Sequence, residues 1–279
     1  MPAPKLRSAL APEAQADLEH LSSRLREFHN SDFAATYFEA SEAGNEIWSP
    51  QMRAHWHLKQ SIPKGSRVVD LGCGTAHPCR NLADREICYT GVDWSEKQIA
   101  RNKDAMPESD FIVSSLYKTP LPDESFDVSM SLYAVEHLVW PHRLLDEMYR
   151  LTRPNGAMAI LTPPFRFKNY LKSFDYGLSA RPFKEKLRTG RLVDAALHLY
   201  QHRIAYPWLL KRRYARQKER NRFLIHLEPV CFQYETWFPD ADAVYLADSG
   251  EIVDYFESKS CRALEEWPSK GYVLVRKRA

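Results

Sequence analysis

From Arg67 onward the apolar residues fall into short β-branched runs separated by amphipathic stretches. Arg67-Val-Val-Asp-Leu71, Tyr89-Thr-Gly-Val92, Phe111-Ile-Val-Ser114, Phe126-Asp-Val-Ser-Met-Ser-Leu132 and Ala157-Met-Ala-Ile-Leu-Thr162 read as five strands. Helices fit between them. Ser95-Glu-Lys-Gln98 is a capping box, so a helix should start directly after the second strand. Pro141 suits a first helical turn, with Leu144, Leu145, Met148 and Leu151 on the inner face, and Pro154-Asn-Gly156 supplies a turn out of that helix. This alternation predicts an α/β fold with a mostly parallel sheet covered on both faces. Upstream, Leu18, Leu21, Leu25 and Phe28 recur at helical spacing, and residues 31–62 are rich in aromatics (Phe33, Tyr37, Phe38, Trp48, Trp56), read as a helical covering segment. The alternation breaks at Pro163-Pro164. A basic, aromatic insertion runs to about Ala247, after which Glu251–Phe256 reads as a helix and Arg262–Glu265 and Gly271–Arg276 as strands.

A chain of 279 residues with 44% hydrophobic and 27% charged positions has the composition of a globular protein with a substantial core. No window approaches the ~20 apolar residues of a membrane span. The opening Met1-Pro-Ala-Pro-Lys-Leu-Arg7 lacks the apolar run of a secretory signal, so a cytoplasmic location is expected. Five cysteines (Cys73, Cys79, Cys88, Cys231, Cys261) without C-x-x-C spacing point to reduced thiols, and no metal site is expected. The net charge of +3 hides an asymmetry. Residues 166–222 hold 16 Lys/Arg against 4 Asp/Glu, a net of +12, which leaves −9 for the rest.

The chemistry concentrates where strands end. After Val69-Asp70-Leu71, the run Gly72-Cys73-Gly74-Thr75 lets the backbone turn sharply and approach a ligand closely. In Cys73, small size is what matters. Asp93 ends the second strand about 20 residues later, the place for a carboxylate that accepts ribose hydroxyls, though an acid there also suits a helix N-terminus. A dinucleotide fingerprint wants glycine three positions after Gly74, where His77 stands.

Taken in order, Asp70-Leu-Gly-Cys-Gly-Thr-Ala76, Val92-Asp-Trp-Ser95, Thr119-Pro-Leu-Pro-Asp-Glu-Ser-Phe-Asp127, Val135-Glu-His-Leu138, Arg153-Pro-Asn-Gly156 and Thr162-Pro163 span about 95 residues. This series resembles the class I S-adenosylmethionine-dependent methyltransferases, in particular their small-molecule branch. The closing helix and two strands extend the resemblance to the C-terminus, apart from the insertion. It implies a Rossmann-like, doubly wound, seven-stranded, mostly parallel sheet. The expected domains are an N-terminal helical cap (1–62), a catalytic core (63–163 and 248–279) and a lid insertion after the fifth strand (164–247). Two positions depart from the pattern: Ala76 replaces a third glycine, and Ser115 stands where an acid often lies near the adenine.

The resemblance implies S-adenosyl-L-methionine as cofactor and S-adenosyl-L-homocysteine as product. By the same resemblance Gly72, Cys73 and Gly74 meet the methionine end through backbone, and Asp70 helps place its ammonium. Asp93 holds the ribose and Trp94 covers the adenine. Ser115 and the Leu116 amide contact the adenine, and Ser131 and Leu132 turn backbone carbonyls toward the methionine moiety. His137 and Tyr133, just past the fourth strand, are the catalytic candidates, His137 because imidazole titrates in the range of a general base. Each also has a structural reading, as a cofactor-positioning or core residue. Tyr37, Trp48 and Trp56 read as edge packing, with a cover over the cofactor as the alternative. His55 and His57, which flank Trp56, read as surface or core.

The insertion carries Lys211–Arg222, read as a helix with a cationic face: a solvated surface, a grip for an anionic acceptor, a peripheral membrane contact or a nucleic-acid contact. Nucleic acid is the disfavoured partner, since Thr162-Pro-Pro-Phe165 follows the fifth strand rather than the fourth and no Pro-Cys nucleophile motif occurs. The expected function is methyl transfer to O or N of a small or carrier-linked metabolite, compatible with an anionic acceptor. An RNA methyltransferase and a non-catalytic cofactor-binding protein are the alternatives. Acceptor identity and oligomeric state are not written in the sequence.

Overall fold

The computed structural model describes residues 15–31, 48–163, 176–218, 223–227, 229, 242–245 and 247–279. In chain order the elements are α1 (Gln15–His29), α2 (Arg53–Ser61), β1 (Arg67–Leu71), α3 (His77–Asn81), β2 (Cys88–Asp93), α4 (Glu96–Ala105), β3 (Asp110–Val113), β4 (Phe126–Leu132), α5 (Pro141–Leu151) and β5 (Thr152–Leu161). After these come α6 (Phe183–Arg188), α7 (Leu192–Tyr200), a π-helical turn (Gln201–Ala205), α8 (Tyr206–Lys218), α9 (Ser249–Glu257), β6 (Cys261–Trp267) and β7 (Tyr272–Lys277). Two compact units result: Ser23–Pro164 with Ala247–Ala279, and Met1–Ser22 with Phe165–Leu246.

The first unit is built on one seven-stranded sheet of order β3-β2-β1-β4-β5-β7-β6. β1 to β5 pair in parallel, and β7 runs antiparallel to both β5 and β6. This is the doubly wound, Rossmann-like arrangement expected. Its strand order reverses between β1 and β4, so a crevice opens at their carboxyl ends. β1 and β4 are buried nearly throughout because helices cover both faces. On α5, Leu144, Leu145, Met148 and Leu151 are all fully buried. Lys277 of β7 closes the end of α5, its Nζ donating to the carbonyls of Tyr149 at 3.1 Å and Thr152 at 2.9 Å.

Two sequence expectations change in detail. Ser95 does cap α4, its hydroxyl accepting from the Gln98 amide at 3.4 Å. Gln98 does not return the bond; its side chain donates to Asn102 at 3.0 Å, and the Ser95 amide donates instead to Asp93 Oδ1 at 2.9 Å. Pro154-Asn-Gly156 lies inside β5 rather than before it. The register against β4 slips between Phe126 and Val128, with Asn155 at φ 62°, so the turn is absorbed as a bulge.

The run from Thr119 to Asp127 owes its residue types to structure. Glu147 accepts from the amide and the hydroxyl of Thr119, both at 2.6 Å. Arg150 donates to Glu147 Oε2 at 2.8 Å and to the Leu121 carbonyl at 2.8 Å, and pairs with Asp123. Asp127 accepts from the Arg67 amide at 2.7 Å and holds Arg153 at 2.7 Å. The bonds of Thr119, Leu121 and Asp123 tie the β3–β4 connection to α5, and those of Asp127 tie β4 to β1 and β5.

In the second unit, α7, the π turn and α8 make one uninterrupted helical run from Leu192 to Lys218, longer than the basic segment the sequence predicts; Glu219–Arg222 lie outside the described residues. Lys186 is fully buried there. Its Nζ donates to the Tyr176 carbonyl and pairs with Asp194 at 2.9 Å, while Asp194 Oδ1 also accepts the Leu178 amide at 2.7 Å. No helix among the described residues is long and apolar enough to cross a membrane.

Candidate functional site

The glycine loop sits at the crevice between the carboxyl ends of β1 and β4. Gly72 (φ 84°) and Gly74 (φ 47°) both adopt left-handed backbone, and the amides of Gly72 and Cys73 donate to the Val92 carbonyl at 2.8 and 3.1 Å. The loop runs so close to the turn after β4 that a Cβ on Gly72 would lie 2.4 Å from Ala134 Cβ. Only glycine satisfies both demands. Ala76 holds the position of the missing third glycine in the same left-handed region, at φ 53°, which costs a non-glycine residue about 1–2 kcal/mol.

Cys73 faces away from the crevice. It is buried, and a Cβ on Gly91 would meet its sulfur at 2.9 Å, so its small side chain fills the space over β2 and burial pushes its thiol up. Asp70 is buried too. Its Oδ2 accepts from the Tyr89 hydroxyl at 2.8 Å, and its Oδ1 finds no hydrogen-bond donor among the described residues. Burial, with Asp93 nearby, pushes this carboxyl up to about 7, against the opposing effect of the Tyr89 bond.

Asp93 ends β2 with both oxygens engaged by backbone: Oδ2 accepts from Gly74 at 3.0 Å and Oδ1 from Ser95 at 2.9 Å. Burial raises its pKa, while these amide bonds and the nearby His29 pull the other way. Asn102 of α4 donates to the Gly74 carbonyl at 2.7 Å, so the loop is held from both sides. Trp94, half-buried, lies 5.5 Å centroid to centroid from the His29 ring. Ser115 is exposed at the carboxyl end of β3, its hydroxyl accepting from the Tyr117 amide at 3.3 Å, and Leu116 is buried against Gly72.

Ser131 and Leu132 close β4. The Ser131 hydroxyl donates to the Leu71 carbonyl at 2.8 Å, which stitches the two strands flanking the crevice. Tyr133 then turns the chain at φ 56°, with its amide bonded to the Leu161 carbonyl at 2.6 Å and its side chain 41% exposed. His137 ends a single 3₁₀ turn (Val135–His137). It is buried, its Nε2 lies 3.7 Å from Glu136 Oε1, and its ring is 5.8 Å from that of His29. Glu136 in turn accepts from the Thr162 hydroxyl at 3.0 Å.

Other neighbours were not foreseen from the sequence. Trp48, His55, His77 and Tyr133 form a ring cluster beside the loop: Trp48–His55 at 5.2 Å, Trp48–His77 at 5.8 Å and His55–Tyr133 at 5.7 Å between centroids. Burial lowers His55 to about 4 and His77 to about 3, so both imidazoles are neutral at physiological pH. Trp48 is buried, its indole N–H without a hydrogen-bond partner among the described residues. His57 is separate from this group, bonding the Tyr272 hydroxyl at 3.2 Å. Tyr37 lies outside the described residues. A sequence signal for His77 did exist, since it opens α3 directly after the glycine loop.

Residues 69–160 match the model of a methyltransferase domain. The demethylmenaquinone methyltransferase of Paenarthrobacter aurescens is 32% identical over 120 residues, 42% of this chain and 47% of the relative. The malonyl-[acyl-carrier protein] O-methyltransferase of Pectobacterium atrosepticum is 27% identical over 140 residues, 50% of this chain and 55% of the relative. The chain thus spans about half the length of these relatives. Among solved structures, the fold is shared with the Burkholderia thailandensis 1,6-didemethyltoxoflavin-N1-methyltransferase bound to S-adenosylhomocysteine (TM-score 0.52, 14% identity, 96% of this chain and 93% of that one). It is shared also with an S-adenosylmethionine-dependent methyltransferase from Mesorhizobium loti (TM-score 0.51, 18% identity, 80% of this chain and 98% of that one). Residues 69–160 thus carry a methyltransferase domain, and the chain shares its fold with S-adenosylmethionine-dependent methyltransferases of known structure.

Proposed function

We propose that this protein transfers the methyl group of S-adenosylmethionine to an oxygen or nitrogen of a small or carrier-linked acceptor. Residues 63–163 and 248–279 act as its catalytic core. The observation that carries the reading is the pairing of a glycine loop that tolerates no side chain at Gly72 with a carboxylate, Asp93, fixed at the next strand end. The donor set suits the cofactor. Each Asp93 oxygen accepts one amide and keeps a further lone pair for a ribose hydroxyl. Gly72 and Gly74 leave backbone accessible, and Ser115 and the Leu116 amide offer polar contacts for a purine edge. Asp70 lies behind the loop, where its charge favours an ammonium on the far side of the glycines.

The cofactor supplies a methyl carbon on a sulfonium, already activated toward displacement. What the chain adds is alignment and the removal of one proton. With the cofactor bound, the acceptor's lone pair would form the new bond to carbon as the carbon–sulfur bond breaks, the electron pair of that bond leaving on sulfur. In this reading His137, 3.7 Å from Glu136, serves as the acceptor's base, and the half-exposed Tyr133 supplies a hydroxyl that orients the acceptor. His55 and His77, neutral beside a cationic donor, add polarity without repulsion. Calorimetric titration with S-adenosylmethionine and S-adenosylhomocysteine tests the reading. Saturable binding of both, lost in Asp93→Ala and partly kept in Asp93→Asn, is the expected result. Folded wild-type protein that binds neither refutes it.

A further inference from the structure

The helical run from Leu192 to Lys218 turns an apolar face to solvent. Leu192, Val193, Tyr200, Ile204 and Trp208 are each more than half exposed, from 52% for Tyr200 to 75% for Val193. Asp194, Ala195, His198, Gln201, Tyr206 and Leu210 are the buried side of the same run. Leu192, Tyr200, Ile204 and Trp208 stand at multiples of four. In a plain α-helix such a series drifts by ~40° at every step, because a turn takes 3.6 residues. The π turn at Gln201–Ala205 lengthens one turn and sets the drift back, so the exposed apolar residues before and after it share one stripe. A π turn that aligns a solvent-facing stripe is not a packing device for the interior.

Charge decides what that stripe meets. From Leu187 to Lys218 there are eight Lys/Arg (Arg188, Arg191, Arg203, Lys211, Arg212, Arg213, Arg216, Lys218) and one acid, Asp194, which is buried against Lys186. Arg203 and Arg212 are exposed beside the stripe, and the Arg212 guanidinium lies over the Trp208 ring at 5.2 Å. We infer that this face docks on an anionic lipid surface, with Val193, Tyr200, Ile204 and Trp208 entering the headgroup boundary and the arginines pairing with lipid charges. Exposed aliphatic residues together with Trp, Tyr and a cationic set almost free of acids are the composition of an interfacial helix. A nucleic-acid backbone would use the arginines but would leave Val193 and Ile204 in water.

Sedimentation of the full chain with phosphatidylcholine vesicles, with and without phosphatidylglycerol, tests the inference. The folded wild type should bind only the vesicles containing phosphatidylglycerol, more weakly as salt rises. Its tryptophan emission should shift to the blue on binding, and Trp208→Phe should remove the shift. One arginine near the surface is worth about fivefold in binding, so Arg203→Ala with Arg212→Ala should weaken it about thirtyfold. Ile204→Glu should do so at least as strongly; at an exposed site it leaves the thermal transition in place, which circular dichroism checks. No binding to either vesicle overturns the inference. So does equal binding to both, or an unshifted emission. Binding of single-stranded RNA that survives Ile204→Glu while vesicle binding is absent would assign the face to nucleic acid instead.

Discussion

Replacing Asp70 by Asn should make the ligand-free protein more stable, and the gain should depend on pH. The carboxyl is buried, one oxygen bonds Tyr89, and burial lifts it from the ordinary 3.8 to about 7. A group whose folded pKa lies above its unfolded value contributes fully below the unfolded value and loses that contribution as pH rises through the folded one. The stability difference between Asn and Asp should therefore climb by roughly 1.4 kcal/mol per pH unit from about pH 4 and level off above about pH 7, for a total on the order of 4 kcal/mol. A buried amide nitrogen lacking an acceptor costs about 1–3 kcal/mol, which lowers the whole curve without changing its rise. His55 and His77 titrate in the opposite sense. Their folded values lie below the ordinary 6.5, so their contribution is present above that pH and lost as pH falls toward about 4 and about 3. They occur in both proteins, so the difference curve, not the wild-type curve, is the quantity to read. Urea unfolding of both proteins from about pH 5 to about pH 8 measures it. A flat difference would refute the account of Asp70 as a carboxylate kept at a cost in stability. If its charge serves the cofactor's ammonium, the same variant should bind S-adenosylmethionine at least tenfold more weakly while melting higher, the trade-off expected of a functional group.

Gly72→Ala should destabilise far more than Gly65→Ala: both glycines have positive φ, but an added Cβ meets Ala134 at 2.4 Å in the first and nothing within 4 Å in the second, so Gly65 reports the backbone cost alone in thermal melts. Lys186→Met should cost about 3–5 kcal/mol by leaving Asp194 buried without its cation, and chemical unfolding should show Asp194→Asn in the same background recovering part of the loss. His137→Gln should lower kcat by about 10²–10⁴-fold with little change in cofactor affinity and flatten the pH–rate profile, once an acceptor is in hand.

The parallel strands were legible because each is a β-branched run ended by a turn residue, and a strand buried on both faces admits little else. The bulge in β5 was not. Pro154-Asn-Gly156 has turn chemistry, and only pairing with β4 and β7 decides that the strand resumes around it. Gly72, Gly74 and Asp93 were readable because backbone freedom and a strand-end carboxylate leave marks at fixed spacing. The cluster of Trp48, His55, His77 and Tyr133 left no joint mark beyond the place of His77 after the glycine loop, since its members come from separate segments and meet only through the fold. The same holds for His29 beside Trp94 and His137. The basic stretch was visible as composition, but the π turn that sets its exposed face is a backbone property without a residue signature.

The backbone grip on Asp93 has a kinetic consequence. With Gly74 and Ser95 each holding one oxygen, the carboxylate has its final orientation before any ligand arrives, and Asn102 fixes the loop that carries Gly74. For a cofactor bound at Asp93, as proposed above, association would wait on diffusion and orientation, not on rearrangement of this corner. Stopped-flow mixing with the cofactor should give a single phase whose rate rises linearly with concentration, with a bimolecular constant of at least ~10⁵ M⁻¹s⁻¹, and differences in affinity among variants around Asp93 should appear in the dissociation rate.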